Sequence, residues 1–312
     1  MQKNNESISM DIQEIKPLLN LPLPELIAIA NKARRDFAGS KIELCNIMNA
    51  KSGLCSQDCK FCAQSGRHGT GIPAYALKSK EEMVAAARRA KEIGAARFDI
   101  VTSGDNLSEE DFNVIAGAVF EITRGISIKM CASLGSMSEE RLLLLKKAGL
   151  SRYHHNIETS PGFFQKICST HTFEDRVKTI RAAKKAGLEV CSGGIIGMGE
   201  SLEDRIEMAF CLKDLDVDSV PINILVPIKG TPFEAKNTLS SSEAIRTIAL
   251  FRIILKDKII KIAAGRESIL KDFQAMAFMA GANGMLIGGY LTIKGRQVDE
   301  DRELVKEIEN SW

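Results

Sequence analysis

Eight short apolar runs rich in β-forming residues, at 42–47, 97–102, 126–132, 152–157, 188–195, 219–226, 259–263 and 284–288, alternate with stretches of helical pattern. Strands that alternate with helices pair in parallel through helical crossovers, and this excludes most other architectures. The helix starts are legible. Ser79 precedes Glu82, Ser108 precedes Asp111, Ser136 precedes Glu139, Thr172 precedes Asp175, Ser201 precedes Asp204, and Ser240 precedes Glu243. In each pair a hydroxyl can accept from orphan backbone amides while an acid favours the helix dipole. Several helices then stop at a glycine preceded by lysine, at Gly94, Gly149 and Gly187, with a strand following at once. Eight such units predict an α/β fold, a (β/α)8 TIM-type barrel. Residues 41–312 would form the barrel domain and 1–40 an N-terminal helical extension, with 22–36 as its amphipathic core. A doubly wound open sheet shares the periodicity and is the structural alternative.

With 312 residues and 45% hydrophobic content, the chain can bury a large core. Its 42 basic and 40 acidic residues nearly balance, which leaves no nucleic-acid footprint and no polybasic membrane face. The first twenty residues are polar and mixed in charge, and no apolar run reaches membrane-spanning length. Eight cysteines without an export signal point to a reducing cytoplasm, where they serve as ligands or buried thiols.

Three of them, Cys55, Cys59 and Cys62, fall within eight residues, too close for unstrained mutual disulfides. Zinc would call for a fourth Cys or His; His68 is the nearest downstream candidate, and no second C-x-x-C pair follows. Three thiolates suit a cubane iron–sulfur cluster better, holding three irons and leaving the fourth open. Phe61, just before the last cysteine, could stack on a planar ring. The run is similar to the C-x3-C-x-aromatic-C motif of radical S-adenosylmethionine enzymes, whose open iron chelates the amino and carboxylate groups of S-adenosylmethionine.

A barrel places its active groups at the carboxyl ends of the strands. Polar residues embedded in or just after the apolar runs are Cys45, Asp99, Cys131, His154, His155, Asn156, Glu158, Cys191, Asn223 and Arg266. A ring of polar groups around one barrel is costly to bury unless it binds something. Cys168 and Cys211 fall in helix-like stretches and read as structural.

The runs 153–160, 191–200, 221–226 with 229–232, 264–267 and 279–283 together resemble the biotin synthase family, in order, from about Glu43 to the C-terminus. The resemblance implies radical insertion of sulfur into dethiobiotin to form biotin. A [4Fe-4S] cluster on Cys55, Cys59 and Cys62 would cleave S-adenosylmethionine, and an auxiliary iron–sulfur cluster, of [2Fe-2S] or four-iron type, would donate sulfur. It further implies that Phe61, Asn156, Glu158, Arg176, Gly193, Gly194 and Asn223 bind the cofactor. His154, Asn156 and Asn223 would touch substrate, with His154 standing where the common pattern has asparagine. A small electron donor such as flavodoxin or ferredoxin, and a homodimer, belong to the same expectation.

The auxiliary ligands depart from the common pattern of three cysteines plus an arginine. Cys131, Cys191 and Arg266 match, but the second-strand position is Asp99, and Cys45 stands on the first strand. Either Cys45, Cys131 and Cys191 form a relocated three-thiolate set, or Asp99 supplies an oxygen ligand; soft thiolates suit iron–sulfur chemistry better. Two other readings compete for the whole chain. One is a related radical enzyme such as a hydrogenase-cofactor maturase or a methylornithine synthase. The other is an iron–sulfur redox sensor or zinc-stabilised module without enzymatic activity.

Overall fold

Nine parallel strands carry the fold in a computed structural model that describes residues 12–292 and 295–312. They are β1 (Glu43–Lys51), β2 (Arg97–Thr102), β3 (Lys129–Ser133), β4 (Arg152–His154), β5 (Glu189–Cys191), β6 (Gly194–Ile196), β7 (Ser219–Ile224), β8 (Ile259–Ile262) and β9 (Gly284–Leu286). Their order is β5-β4-β3-β2-β1-β9-β8-β7-β6, and β5 also pairs with β7. β5 and β6 therefore share one position, and the sheet closes into an eight-position barrel interleaved with helices. Closure excludes the open doubly wound sheet.

The run expected at 188–195 is split for a local reason. The Gly193 N–H, which a continuous strand would present to a neighbour, is taken at 3.0 Å by the side-chain oxygen of Asn156. A Cβ built on Gly193 would overlap the carbonyl oxygen of Pro221, and one on Gly194 would overlap that of Glu158. Only glycine lets the broken strand pass this close to its neighbours.

Helix starts follow the hydroxyl–acid pairs. Ser79, Thr172, Ser201 and Ser240 each form a reciprocal capping box with the acid three residues on, and Ser108 caps the helix Glu109–Gly125 through Asp111 N. The exception is Ser136. Its hydroxyl donates to Asp105 Oδ1 at 2.8 Å, and the helix Glu139–Ala148 is capped two residues later by Ser138. Gly94, Gly149 and Gly187 close their helices at φ of 89°, 113° and 71°.

The core lies between barrel and helices. Phe98, Ile100, Met130, Val190, Val220 and Ile260 pack outward from the strands onto helix residues such as Leu142, Leu145, Ile180 and Ile248. The expected extension is present as the helix Leu23–Phe37, which buries Leu26, Ala30 and Arg34 at helical spacing against the helix Ser241–Leu255. Arg246 ties its approach down by donating to the Leu19 and Leu21 carbonyls. The Arg34 guanidinium lies 3.5 Å over the Trp312 ring, so both ends of the described chain meet on one flank. Residues 1–11 of the expected extension lie outside the described residues.

Gly193→Ala should destabilise the protein by about 1–3 kcal/mol, because overpacking here meets backbone rather than a movable side chain. Gly69→Ala, whose Cβ meets nothing within 4 Å, is the control and should leave the thermal midpoint in place.

Candidate active site

The floor of the barrel is charged. Glu43, Arg97, Arg152 and Glu189 are the first residues of β1, β2, β4 and β5, and their side chains meet inside. The Glu43 carboxylate accepts from Arg97 Nε at 2.8 Å and Arg152 Nη1 at 2.7 Å, and Glu189 Oε2 accepts from Arg97 Nη2 at 2.6 Å and Arg152 Nε at 2.9 Å. Lys261 of β8 adds a third cation, 3.7 Å from Glu43. Burial opposes ionisation of Glu43, yet Arg152, Lys261 and Arg97 hold its carboxyl down to about 2.

Above this floor, Cys45 of β1, Cys131 of β3 and Cys191 of β5 face one cavity of about 280 Å³ together with Asp99, His154 and Lys261. The Lys261 ammonium lies 2.9 Å from Cys45 Sγ. Burial pushes the Cys45 thiol up to about 11 and Cys131 further still, in the second case with help from Asp99. Cys191 goes the other way. Burial resists the thiolate there too, but Lys261, a hydrogen bond with His154, and Arg152 bring it down to about 6. Burial drives the Asp99 carboxyl up to about 7, against the pull of His154 and Lys261, and one of its oxygens is buried without a partner. Asp99 is the register partner of Cys131, so that thiol and the carboxyl share one level of the barrel.

The same cavity reaches up to Phe61 and Cys62. The loop carrying Cys55, Cys59 and Cys62 folds back on itself: Cys62 N donates to Cys59 O at 2.9 Å, and Gly66 N to Cys55 O at 2.8 Å. His68 is not aimed at the thiols; its Nε2 lies 3.1 Å from the Cys59 carbonyl oxygen. Cys168, expected in a helix, sits in the turn after the short helix Pro161–Phe164, with its sulfur 3.8 Å from Cys59 Sγ and 3.2 Å from His171 Nδ1. Cys59, Cys168 and His171 bring their donor atoms within 4.8 Å of one another, a Cys/His group able to hold a metal ion. All eight cysteines are free.

Asn156 and Asn223 line the cavity between the two thiol levels, with His154 nearer the floor. Asn223 braces β7 by donating to Gly194 O and accepting from Ala264 N, both at 3.2 Å. Arg176 donates to Asn156 O at 2.9 Å and lies 3.7 Å from Glu158, whose backbone is held at φ 67°. A positive φ at a non-glycine beside the cavity is strain that the surrounding ladder sustains.

Two expectations change in the structure. Arg266 is buried away from the thiols: it pairs with Asp301 Oδ2 at 2.5 Å, Gln274 and the Leu286 carbonyl. Gly265, at φ 85°, turns the chain out of β8 before Arg266, and the cation that β8 sends inward is Lys261. Gly193 and Gly194 spare backbone collisions with Pro221 and Glu158 rather than opening space for a ligand. Lys261, flanked by isoleucines in the run 259–262, was detectable as a charge inside an apolar strand.

Because Lys261 does most to hold the Cys191 thiol down, Lys261→Met should raise it. Thiolate absorbance of the cluster-free protein, followed against pH, should show one group titrating near 6 in the wild type and that step displaced upward in the variant.

Residues 51–212 match the radical SAM superfamily model, and residues 221–310 match the Biotin and Thiamin Synthesis associated domain. The biotin synthase of Thermotoga petrophila is 53% identical over 94% of this chain and 97% of its own length. That of Thermotoga neapolitana is 58% identical over 86% and 96%. Among solved structures, methylornithine synthase superposes with a TM-score of 0.83 at 22% identity, covering 98% of this chain and 94% of that one. A maturase of the [FeFe]-hydrogenase does so with 0.80 at 16% identity, over 95% and 70%. At those identities the superpositions establish the barrel and no more. The sequence relatives go further: this chain is a radical S-adenosylmethionine enzyme and belongs to the biotin synthase family.

Proposed function

We propose that the protein makes biotin by inserting sulfur into dethiobiotin, with S-adenosylmethionine as the radical source. The observation that carries this reading is one cavity with thiols at both ends, Cys62 at the mouth and Cys45, Cys131 and Cys191 near the floor. The donor sets suit the two groups such a reaction needs. Cys55, Cys59 and Cys62 are free and His68 is turned away, so that loop offers three protein ligands and leaves a fourth iron position open. At the floor, three free thiols face Lys261, with Arg97 and Arg152 close behind, which suits an anionic cluster, and the unpartnered Asp99 oxygen is a spare donor. When bound, the first cluster and S-adenosylmethionine supply a radical that removes an unactivated hydrogen, and the second cluster supplies sulfur.

The chain's own residues bind, orient and exclude water. The Arg176 fork suits the methionyl carboxylate, Asn156 and Glu158 the ribose, and Phe61 the adenine ring. Asn223 and His154 would then meet dethiobiotin. Ile47, Val101, Ile195, Leu225, Val226 and Ile228 line the cavity and keep it dry. Residues 41–312 form the catalytic domain on this reading, and 1–40 its extension. No helix among the described residues is long and apolar enough to cross a membrane. A cytoplasmic homodimer fed by a flavodoxin- or ferredoxin-type donor completes the family likeness.

Anaerobically reconstituted and reduced protein, given S-adenosylmethionine and dethiobiotin, should release 5′-deoxyadenosine and biotin. Deoxyadenosine without biotin or a thiolated intermediate, with both clusters loaded, would move the assignment to another substrate. Alanine at Cys55, Cys59 or Cys62 should abolish both products. Cys45→Ala should keep deoxyadenosine formation and lose biotin together with the auxiliary iron. Asp99→Ala should be milder in both respects, and iron analysis beside product chromatography distinguishes the two ligand sets.

A further inference from the structure

Two ionised residues that follow β8, Arg266 and Glu267, have no part in the proposed chemistry, yet both are held tightly. Arg266 is 1% exposed and pairs with the fully buried Asp301. The same guanidinium nitrogen, Nη2, lies 3.2 Å from Glu267 Oε1. The Tyr290 hydroxyl lies 2.8 Å from both Glu267 oxygens and donates between them, and Arg296 N reaches Oε1 at 3.4 Å. Tyr290, Leu291 and Thr292 line the cavity that holds the thiols. They also line a second cavity of about 590 Å³, beside Ser52 and Tyr75. These three residues are therefore the partition between the two spaces.

The partition belongs to no helix or strand. β9 ends at Leu286, and Gly288 and Gly289 turn the chain at φ of 81° and 110°. From β1, Asn46 Nδ2 donates to Ile287 O at 2.8 Å and Asn49 Nδ2 to Leu291 O at 3.2 Å. Those bonds fix the backbone on either side of Tyr290 and leave its ring to be placed by the hydroxyl. Glu267, the partner of that hydroxyl, lines neither cavity. The polar end of Tyr290 is thus drawn out of the partition, and the ring remains as the wall.

We propose that Tyr290 is the end wall of the substrate cavity and that Glu267, steadied by Arg266, is a positioning residue that holds this wall in place, so that the pair sets the length of substrate the enzyme accepts. The inference rests on the assignment of this cavity to dethiobiotin. An aliphatic chain too long for the cavity must push the ring aside and break its bond to Glu267. A fixed apolar wall discriminates by about tenfold or more per methylene.

The test is calorimetric titration of reconstituted holoenzyme with S-adenosylmethionine present and reductant omitted, so that no turnover intervenes. The probes are dethiobiotin and a homologue lengthened by two methylene groups. The wild type should prefer dethiobiotin, and Tyr290→Ala should reduce that preference about tenfold by opening the cavity into its neighbour. Tyr290→Phe keeps the ring and loses the hydroxyl, so it should show the same partial loss of preference as Glu267→Ala. Glu267→Gln retains an acceptor and should keep the wild-type preference. A wild type without preference, or a wild-type preference in Tyr290→Ala, overturns the wall. Unchanged preference in Glu267→Ala overturns the positioning role, as does equal weakening of both probes there, which would mean general damage to the fold. A wild type that binds no dethiobiotin with its iron fully loaded strikes the substrate reading itself, and iron analysis of the same samples separates that result from lost cofactor.

Discussion

The barrel closes over ions. Taking Glu43, Arg97, Arg152 and Lys261 out of water costs several kcal/mol per group, and that cost is offset only if every charge finds good partners. Glu43 bridges both arginines from one side and Glu189 from the other, so each carboxylate binds two guanidinium groups contributed by different strands. The geometry exists only when β1, β2, β4 and β5 stand in the observed register, which couples the ion network to closure itself. Counting Lys261, three cations face two carboxylates, an excess of one positive charge at the bottom of an apolar cavity. That excess points at the thiols. It pulls Cys191 to about 6 in spite of burial and places an ammonium on Cys45. The device that closes the barrel also makes its floor a site for anionic sulfur.

One strand break joins this floor to the upper site. Between Cys191 and Gly194 the chain gives up regular pairing, and Asn156 fills in by accepting the Gly193 N–H. The same asparagine is held from behind by Arg176, on the helix Phe173–Lys185, and faces Glu158 with its amide at 3.3 Å. The polar groups assigned to the cofactor are therefore locked by backbone partners before any ligand arrives. Pre-organisation of this kind lowers the ordering cost of binding.

Much of this was legible in the chain because it is local. Alternating runs and hydroxyl–acid pairs report on residues a few positions apart; the runs located all eight strand positions of the barrel, and five of the six pairs fall at helix starts. The failures are non-local. Ser136 was a sound cap by spacing, but Asp105, 31 residues away, takes its hydroxyl. The run 188–195 looks like one strand until Asn156 is brought beside it. Arg266 follows a strand that already carries an inward cation at Lys261, and only the left-handed turn at Gly265 shows that its side chain leaves the barrel. Cys168 read as an incidental thiol because Cys59 lies 109 residues earlier in the chain. The three-cysteine loop and the ring of strand cysteines were visible as residue types; which cation balances them was not.

A cavity for radical chemistry has a requirement that acid–base sites lack, since any weak S–H bond in reach is a hydrogen donor that can quench a carbon radical. Cys62 above and Cys45, Cys131 and Cys191 below line this cavity, so their sulfurs must be free of hydrogen while a radical is present. On the proposed assignment, bonding to iron would achieve that for Cys62 and for whichever floor thiols hold the auxiliary group. The positive floor favours the same state at Cys191 even before metal arrives, by bringing its thiol down to about 6. Cys168 does not line the cavity and lies behind Cys59, packed among Phe163, Phe164 and Ile167. The cysteine loop thus stands between that sulfur and the cavity, where a hydrogen-bearing thiol could quench a radical.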